Sequence, residues 1–172
     1  MYAQRLAREK ASAVFVQRPN DVVLGADTVV VVDDQILEKP GDQADAVRML
    51  RLLSGRSHVV ITGVCLTGIT RPLGLGAATI AAGDIFEDIR VETTLVVMER
   101  MEEEDIRSYV ATGEPMDKAG GYAIQGIASR WITRIEGDYS NVVGLPVALV
   151  WRMLQEHNVK LRIDLPKERQ SP

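Results

Sequence analysis

Apolar positions follow two rhythms along this chain. Across residues 2–16, Ala and Leu gather on one face and Arg, Lys and Glu on the other, which predicts a helix. Arg18-Pro19-Asn20-Asp21 breaks it. Residues 22–24 and 29–32 are apolar and β-branched, as in a buried strand. Asp33-Asp34-Gln35 then reads as a turn, and Ile36-Leu37 as the return arm of a hairpin. Asp42 is placed to cap a helix over about residues 43–53, which Gly55 closes, with Val47, Leu50 and Leu53 in its core stripe. Residues 57–67 and 90–98 read as strands. Between them, residues 68–87 are rich in small side chains and read as a β-excursion or a mobile loop. The acidic run 102–105 suits the positive end of a helix that continues to about Thr112. A strand over 131–135, a helix over 147–156 opened by Pro146, and a polar tail from Asp164 complete the pattern. Alternation of strands and helices predicts an α/β fold. There is no internal repeat.

Composition narrows the classes. A chain of 172 residues suits one domain, or two small lobes around a cleft. The net charge of −4 argues against a general binder of nucleic-acid polymers, whose footprint is basic, yet leaves room for a local basic pocket. Cys65 is the only cysteine and lies in an apolar run, so it reads as a buried, inert thiol rather than a nucleophile. No segment approaches the ~20 apolar residues that cross a bilayer. The first ten residues are charged and helix-like, unlike a signal peptide, so no membrane association and a cytoplasmic setting are expected.

The segment from Gly113 to Gly126 is too irregular for one helix or strand. Its glycines let backbone approach a ligand, Lys118 offers a cation to phosphate, and Gln125 has the donor and acceptor needed to read a base or sugar edge. A surface loop entering a strand is the plainer reading. Asp27, between Gly25-Ala26 and an apolar run, is either a directed carboxylate or a turn residue. Thr28 reads as a selecting hydroxyl or a β-branched strand residue. Lys39, held extended by Pro40, and Lys10, on the first helix, read as phosphate ligands or as solvated lysines. Asp33 and Asp34 read as turn residues and Asn141 as ordering a turn. Arg56 and His58 stay open, and two histidines give no His-rich metal site.

Five blocks stand in order: Gly25-Ala26-Asp27-Thr28; Glu38-Lys39-Pro40; Leu53-Ser54-Gly55-Arg56-Ser57-His58 with Thr62-Gly63-Val64; the Gly113–Gly126 stretch; and Gly137-Asp138-Tyr139-Ser140-Asn141-Val142-Val143-Gly144-Leu145-Pro146. Together, over about residues 3–157, they resemble the Maf-type nucleoside triphosphate pyrophosphatases. The resemblance implies a mixed twisted sheet flanked by helices, with two lobes around a deep cleft as in inosine triphosphatases. It implies a single domain over residues 1–163 followed by a polar tail, 164–172. The implied activity is hydrolysis of a nucleoside triphosphate to monophosphate and pyrophosphate with Mg²⁺ or Mn²⁺, in cleaning of the nucleotide pool. Asp27 matches the family's general base or metal ligand, and Thr28 a position tied to substrate selection. Lys10, Lys39 and Lys118 would meet phosphate and Gln125 the base. Tyr122-Ala123-Ile124-Gln125-Gly126 and the last block resemble the branch acting on dTTP and UTP, not that acting on 7-methyl-GTP. A homodimer is compatible with the resemblance. The family's Ser-x-Ser-Pro-Arg-Arg loop is not found in this chain, so an incomplete N-terminus is expected, from a misplaced start, a lost strand or completion by a partner chain. The alternative function is a nucleotide-binding regulator linked to septum formation, inactive for want of that loop.

Overall fold

The computed structural model describes residues 1–70 and 84–159. Helix α1 (Tyr2–Phe15) carries Ala3, Ala7 and Ala11 along one buried stripe. That stripe lies against strand β1 (Val23–Val32) and strand β3 (Ser57–Ile69) where both strands carry glycine. A Cβ on Gly25 would stand 2.3 Å from the Ala7 carbonyl oxygen, and one on Gly63 would stand 2.4 Å from the Ala3 carbonyl carbon. The alanines and glycines therefore set how closely the helix sits on the sheet.

β1 is one strand of ten residues. The sequence suggested two apolar runs separated by Gly25-Ala26-Asp27-Thr28, but β3 pairs with β1 from Val23↔Thr67 to Val31↔Val59 without a break. Continuous backbone pairing overrides the low strand preference of Gly and Asp. Asp27 accordingly stands within the strand, not in a turn before it. Asp33 and Asp34 form the two-residue hairpin turn, with φ of 46° and 60°, and lead into β2 (Gln35–Leu37). β2 pairs only with Val30–Val32, so residues 23–29 of β1 form a sheet edge among the described residues.

The five strands run in the order β2-β1-β3-β4-β5, with β4 spanning Ile85–Met98 and β5 Ile132–Glu136. All four pairings are antiparallel. The ends of the small-residue segment extend β3 and β4; residues 71–83, where the excursion or loop was expected, and the tail 164–172 lie outside the described residues.

On the sheet face away from α1, Val30, Val60 and Val96 meet the buried side of helix α2 (Gln43–Leu53) in the main core, which also holds Tyr109 of helix α3 (Glu103–Ala111). The Asp42 carboxylate accepts from the Asp45 backbone N–H at 2.8 Å, the cap read from the sequence. Short helical turns at Glu114–Asp117, Ala119–Gly121 and Ile127–Trp131 break up the glycine-rich stretch. Helix α4 (Tyr139–Val143), too short to leave a periodic signal, is capped by Asp138, whose carboxylate accepts from the Ser140 backbone N–H. Helix α5 (Val147–Glu156) buries Leu149, Val150 and Met153 against Val64 and Leu66.

Candidate active site

A cavity of about 580 Å³ opens at the free edge of β1. Neighbouring residues of a strand face opposite sides of the sheet. Asp27 faces α1, where Lys10 Nζ donates to its Oδ1 at 2.6 Å, and its side chain keeps only 15% of its exposure. Thr28 faces the other way, its Oγ1 lying 2.8 Å from Thr62 Oγ1. The cavity wraps the edge and is lined by both.

Two further segments reach the same space. Glu38 and Lys39 follow β2, and Tyr2 of α1 donates its hydroxyl to Glu38 Oε1 at 2.5 Å. The Gly120 backbone N–H donates to the Glu38 carbonyl at 3.0 Å, tying the glycine-rich stretch to that segment. Gly120 has φ of 72°, and a Cβ there would stand 2.8 Å from a Val30 methyl, so both the turn and the close packing require glycine. This junction sets Lys118 on the cavity wall. Lys118 Nζ donates to both oxygens of Asp117 at 2.8 Å, and this hydrogen bonding holds the Asp117 carboxyl below its ordinary range.

Lys10, Asp27, Thr28, Lys39, Lys118 and Gln125 thus all line one cavity, although they are spread over 115 residues between Lys10 and Gln125. Gln125 is exposed to that space. Its loop is held from behind: the Glu114 carboxylate accepts from the Ile127 backbone N–H at 3.0 Å and from Tyr109 Oη at 2.8 Å, and Tyr109 Oη accepts from the Ala123 backbone N–H at 3.1 Å.

Glu38 and Asp117, which carry no pattern of their own in the sequence, also line the cavity. Their signal was adjacency to Lys39 and Lys118. Thr62, beside the cavity, is marked in the sequence only as a hydroxyl inside the apolar run of β3. Asn141 does more than order a turn. It is wholly buried, and its side-chain amide donates to the Val60 carbonyl at 3.1 Å and to Thr94 Oγ1 at 2.9 Å, binding α4 to β3 and β4. Arg56 pairs with Asp33 of the hairpin turn at 2.5 Å. His58 is buried, with Nε2 2.7 Å from the hydroxyl of Tyr122, and burial lowers its pKa to about 4. Burial pushes the Tyr122 hydroxyl upward in turn.

The cavity has both charged and apolar lining. Lysines 10, 39 and 118 and carboxylates 27, 38 and 117 line it, as do Val30, Val60, Ile124 and Val142. Such a mixed lining suits a ligand with a charged chain and a flat, weakly polar head. The family pattern described as Maf-like protein matches residues 1–157.

The chain belongs to the Maf family.

Curated relatives match most of its length. It is 54% identical over 158 residues to the dTTP/UTP pyrophosphatase of Koribacter versatilis (strain Ellin345), covering 92% of this chain and 74% of the relative. It is 49% identical over 153 residues to the dTTP/UTP pyrophosphatase of Symbiobacterium thermophilum (strain DSM 24528 / JCM 14929 / IAM 14863 / T), covering 89% and 71%. The protein of the same name from Bacillus velezensis (strain DSM 23117 / BGSC 10A6 / LMG 26770 / FZB42) is 44% identical over 157 residues, covering 91% and 75%. No helix among the described residues is long and apolar enough to cross a membrane.

Proposed function

We propose that this chain hydrolyses nucleoside triphosphates, dTTP and UTP first among them, to nucleoside monophosphate and pyrophosphate. The observation that carries the reading is one cavity lined by Asp27 and by lysines from three distant segments, in a chain whose relatives bear the name dTTP/UTP pyrophosphatase. A regulator that binds nucleotide without turnover is not favoured by those relatives.

In the proposed reaction, Asp27 accepts a proton from water as the water oxygen bonds to the α-phosphorus. The bond from that phosphorus to the bridging oxygen breaks, and pyrophosphate leaves with the bonding pair. Lys39 and Lys118 offset charge on the phosphates, and Lys10 holds the Asp27 carboxylate through their ion pair. Gln125 and Thr28 select the base, the amide complementing a pyrimidine carbonyl and N–H.

A divalent cation fits the residues present. Three lysines against three carboxylates leave the cavity formally neutral, so a triphosphate would bring uncompensated charge. No cluster of three or more His, Cys, Asp or Glu suited to a metal is present among the described residues; Mg²⁺ in such sites is commonly held by one or two carboxylates plus substrate phosphates. Asp27, which lines the cavity, would hold Mg²⁺ or Mn²⁺ together with the substrate phosphates, and the ion would neutralise phosphate charge when bound. A homodimer and a cytoplasmic setting, where the nucleotide pool lies, belong to this proposal.

Incubating the chain with a panel of nucleotides and Mg²⁺ or Mn²⁺ tests the reading. The expected products from UTP and dTTP are monophosphate and pyrophosphate in equal amounts. Diphosphate and orthophosphate, or no product from any nucleotide, would contradict it.

A further inference from the structure

His58 takes no part in the reaction proposed above, yet it reaches from β3 into the glycine-rich stretch that walls the cavity. Its Nε2 lies 2.7 Å from Tyr122 Oη, and the two rings meet edge to face with centroids 5.3 Å apart. Both side chains are buried. Burial lowers the His58 pKa to about 4, so the imidazole stays neutral and keeps one N–H and one lone pair. Two proton arrangements can then be compared. If Nε2–H donates to Tyr122, the tyrosine proton meets no acceptor and Nδ1 meets no donor among the described residues. If Tyr122 donates to Nε2, only the Nδ1–H is left over. Every buried polar group left unpaired is a cost, so the second arrangement wins. The glycine-rich stretch is thereby held at three places. The Gly120 N–H bonds the Glu38 carbonyl next to Lys118, Tyr122 bonds His58, and the N–H groups of Ala123 and Ile127 bond Tyr109 Oη and the Glu114 carboxylate around Gln125. Residues 122–125, all four of which line the cavity, are thus fastened separately from Lys118.

We propose that His58 is a positioning residue: by accepting the Tyr122 hydroxyl proton it seats residues 122–125 against the nucleoside part of the substrate. This rests on the function proposed above and deepens it. His58 is not among the residues that line the cavity; it acts through Tyr122. Without the acceptor, Tyr122 Oη would be buried and unpaired, and the wall would shift to relieve it. Lys118, fastened through Gly120 and Glu38, would keep its place. The nucleoside and the phosphates should therefore respond differently to the loss of His58.

The test measures pyrophosphate release from UTP with Mg²⁺, and its inhibition by inorganic triphosphate, in the full chain, His58→Leu and His58→Gln. Leucine fills the space without an acceptor, whereas the glutamine amide oxygen can take the same proton. H58L should raise KM for UTP by about tenfold with little change in kcat, and should leave inhibition by triphosphate, which has no nucleoside, as it was. H58Q should recover the KM. Thermal melting confirms that each variant is folded. Should H58L not fold, Tyr122→Phe, which removes only the hydroxyl oxygen, replaces it with the same expected split. Nitrogen-15 magnetic resonance of the unsubstituted chain reads the tautomer directly: a proton on Nδ1 supports the assignment, and one on Nε2 overturns it. An unchanged KM in the folded variant, an equal weakening of UTP and triphosphate, or no recovery in H58Q overturns the role of His58 and leaves the proposed hydrolysis standing. No pyrophosphate from UTP with the unsubstituted chain would overturn the proposed function and this inference with it.

Discussion

Asp27 and Thr28 are neighbours in sequence that face opposite sides of β1, and the free edge of that strand lets one cavity reach both. The division gives the carboxylate a cationic partner on α1 and the hydroxyl a polar partner on β3. His58 shows a different use of a polar residue. Its pKa is lowered to about 4 by burial, so the folded protein holds it neutral where the unfolded chain, near the ordinary 6.5, begins to take a proton. The unfolded state binds the extra proton as pH falls from about 6.5 to about 4, so the contribution of His58 is present above that window and lost across it. The shift corresponds to roughly 3 kcal/mol. Urea unfolding of the native chain should show stability falling over this window, and His58→Gln should flatten the fall. An equal slope in both proteins would remove His58 as its source.

At the scale of elements, the glycine-rich stretch is rigid where the site needs it. Gly120 and Gly121 both have φ of 72°, and Gly120 presses on Val30 while its N–H bonds the Glu38 carbonyl. Gly120→Ala should destabilise the fold by roughly 1–3 kcal/mol through backbone strain and overlap with Val30, and should raise KM for nucleotide more than it lowers kcat, because Lys118 and Lys39 lose their common anchor. Melting temperature and steady-state kinetics check this; unchanged values in both would show the junction to be dispensable. Glu114 supports the next part of the stretch in the same way. Glu114→Ala would leave the Ile127 N–H and the Tyr109 hydroxyl without their shared acceptor, and nucleotide selectivity should loosen as Gln125 loses its seat. Comparing UTP, dTTP and CTP turnover by that variant provides the check, and an unchanged ranking would detach Gln125 from this support.

At the scale of the molecule, what was legible in the sequence was local. The α1 alanine stripe, the Asp42 cap, the hairpin at Asp33-Asp34 and most strands follow from patterns contained within a few residues. Each site candidate was visible as a residue type in a suggestive block, and the cavity gathers all six. What was hidden depends on pairing across the chain. β1 runs through Gly25-Ala26-Asp27-Thr28 because β3 pairs with it there, which no local propensity states. α4 spans only five residues, too few for a period to emerge. Thr62, Asn141 and Thr94 matter through contacts with residues far away in sequence, so their buried string appears only once the sheet is assembled.

In the proposed reaction Asp27 does chemistry in this cavity, beyond holding Lys10 in place. The most direct measurement is the rate of pyrophosphate release from UTP by the native chain and by Asp27→Asn, with nucleotide binding measured in parallel. The amide preserves size while losing the ability to take the proton from water. Turnover should be lower by about 10²–10⁴-fold in the variant with UTP still bound; release of pyrophosphate at the native rate would remove Asp27 from the chemistry.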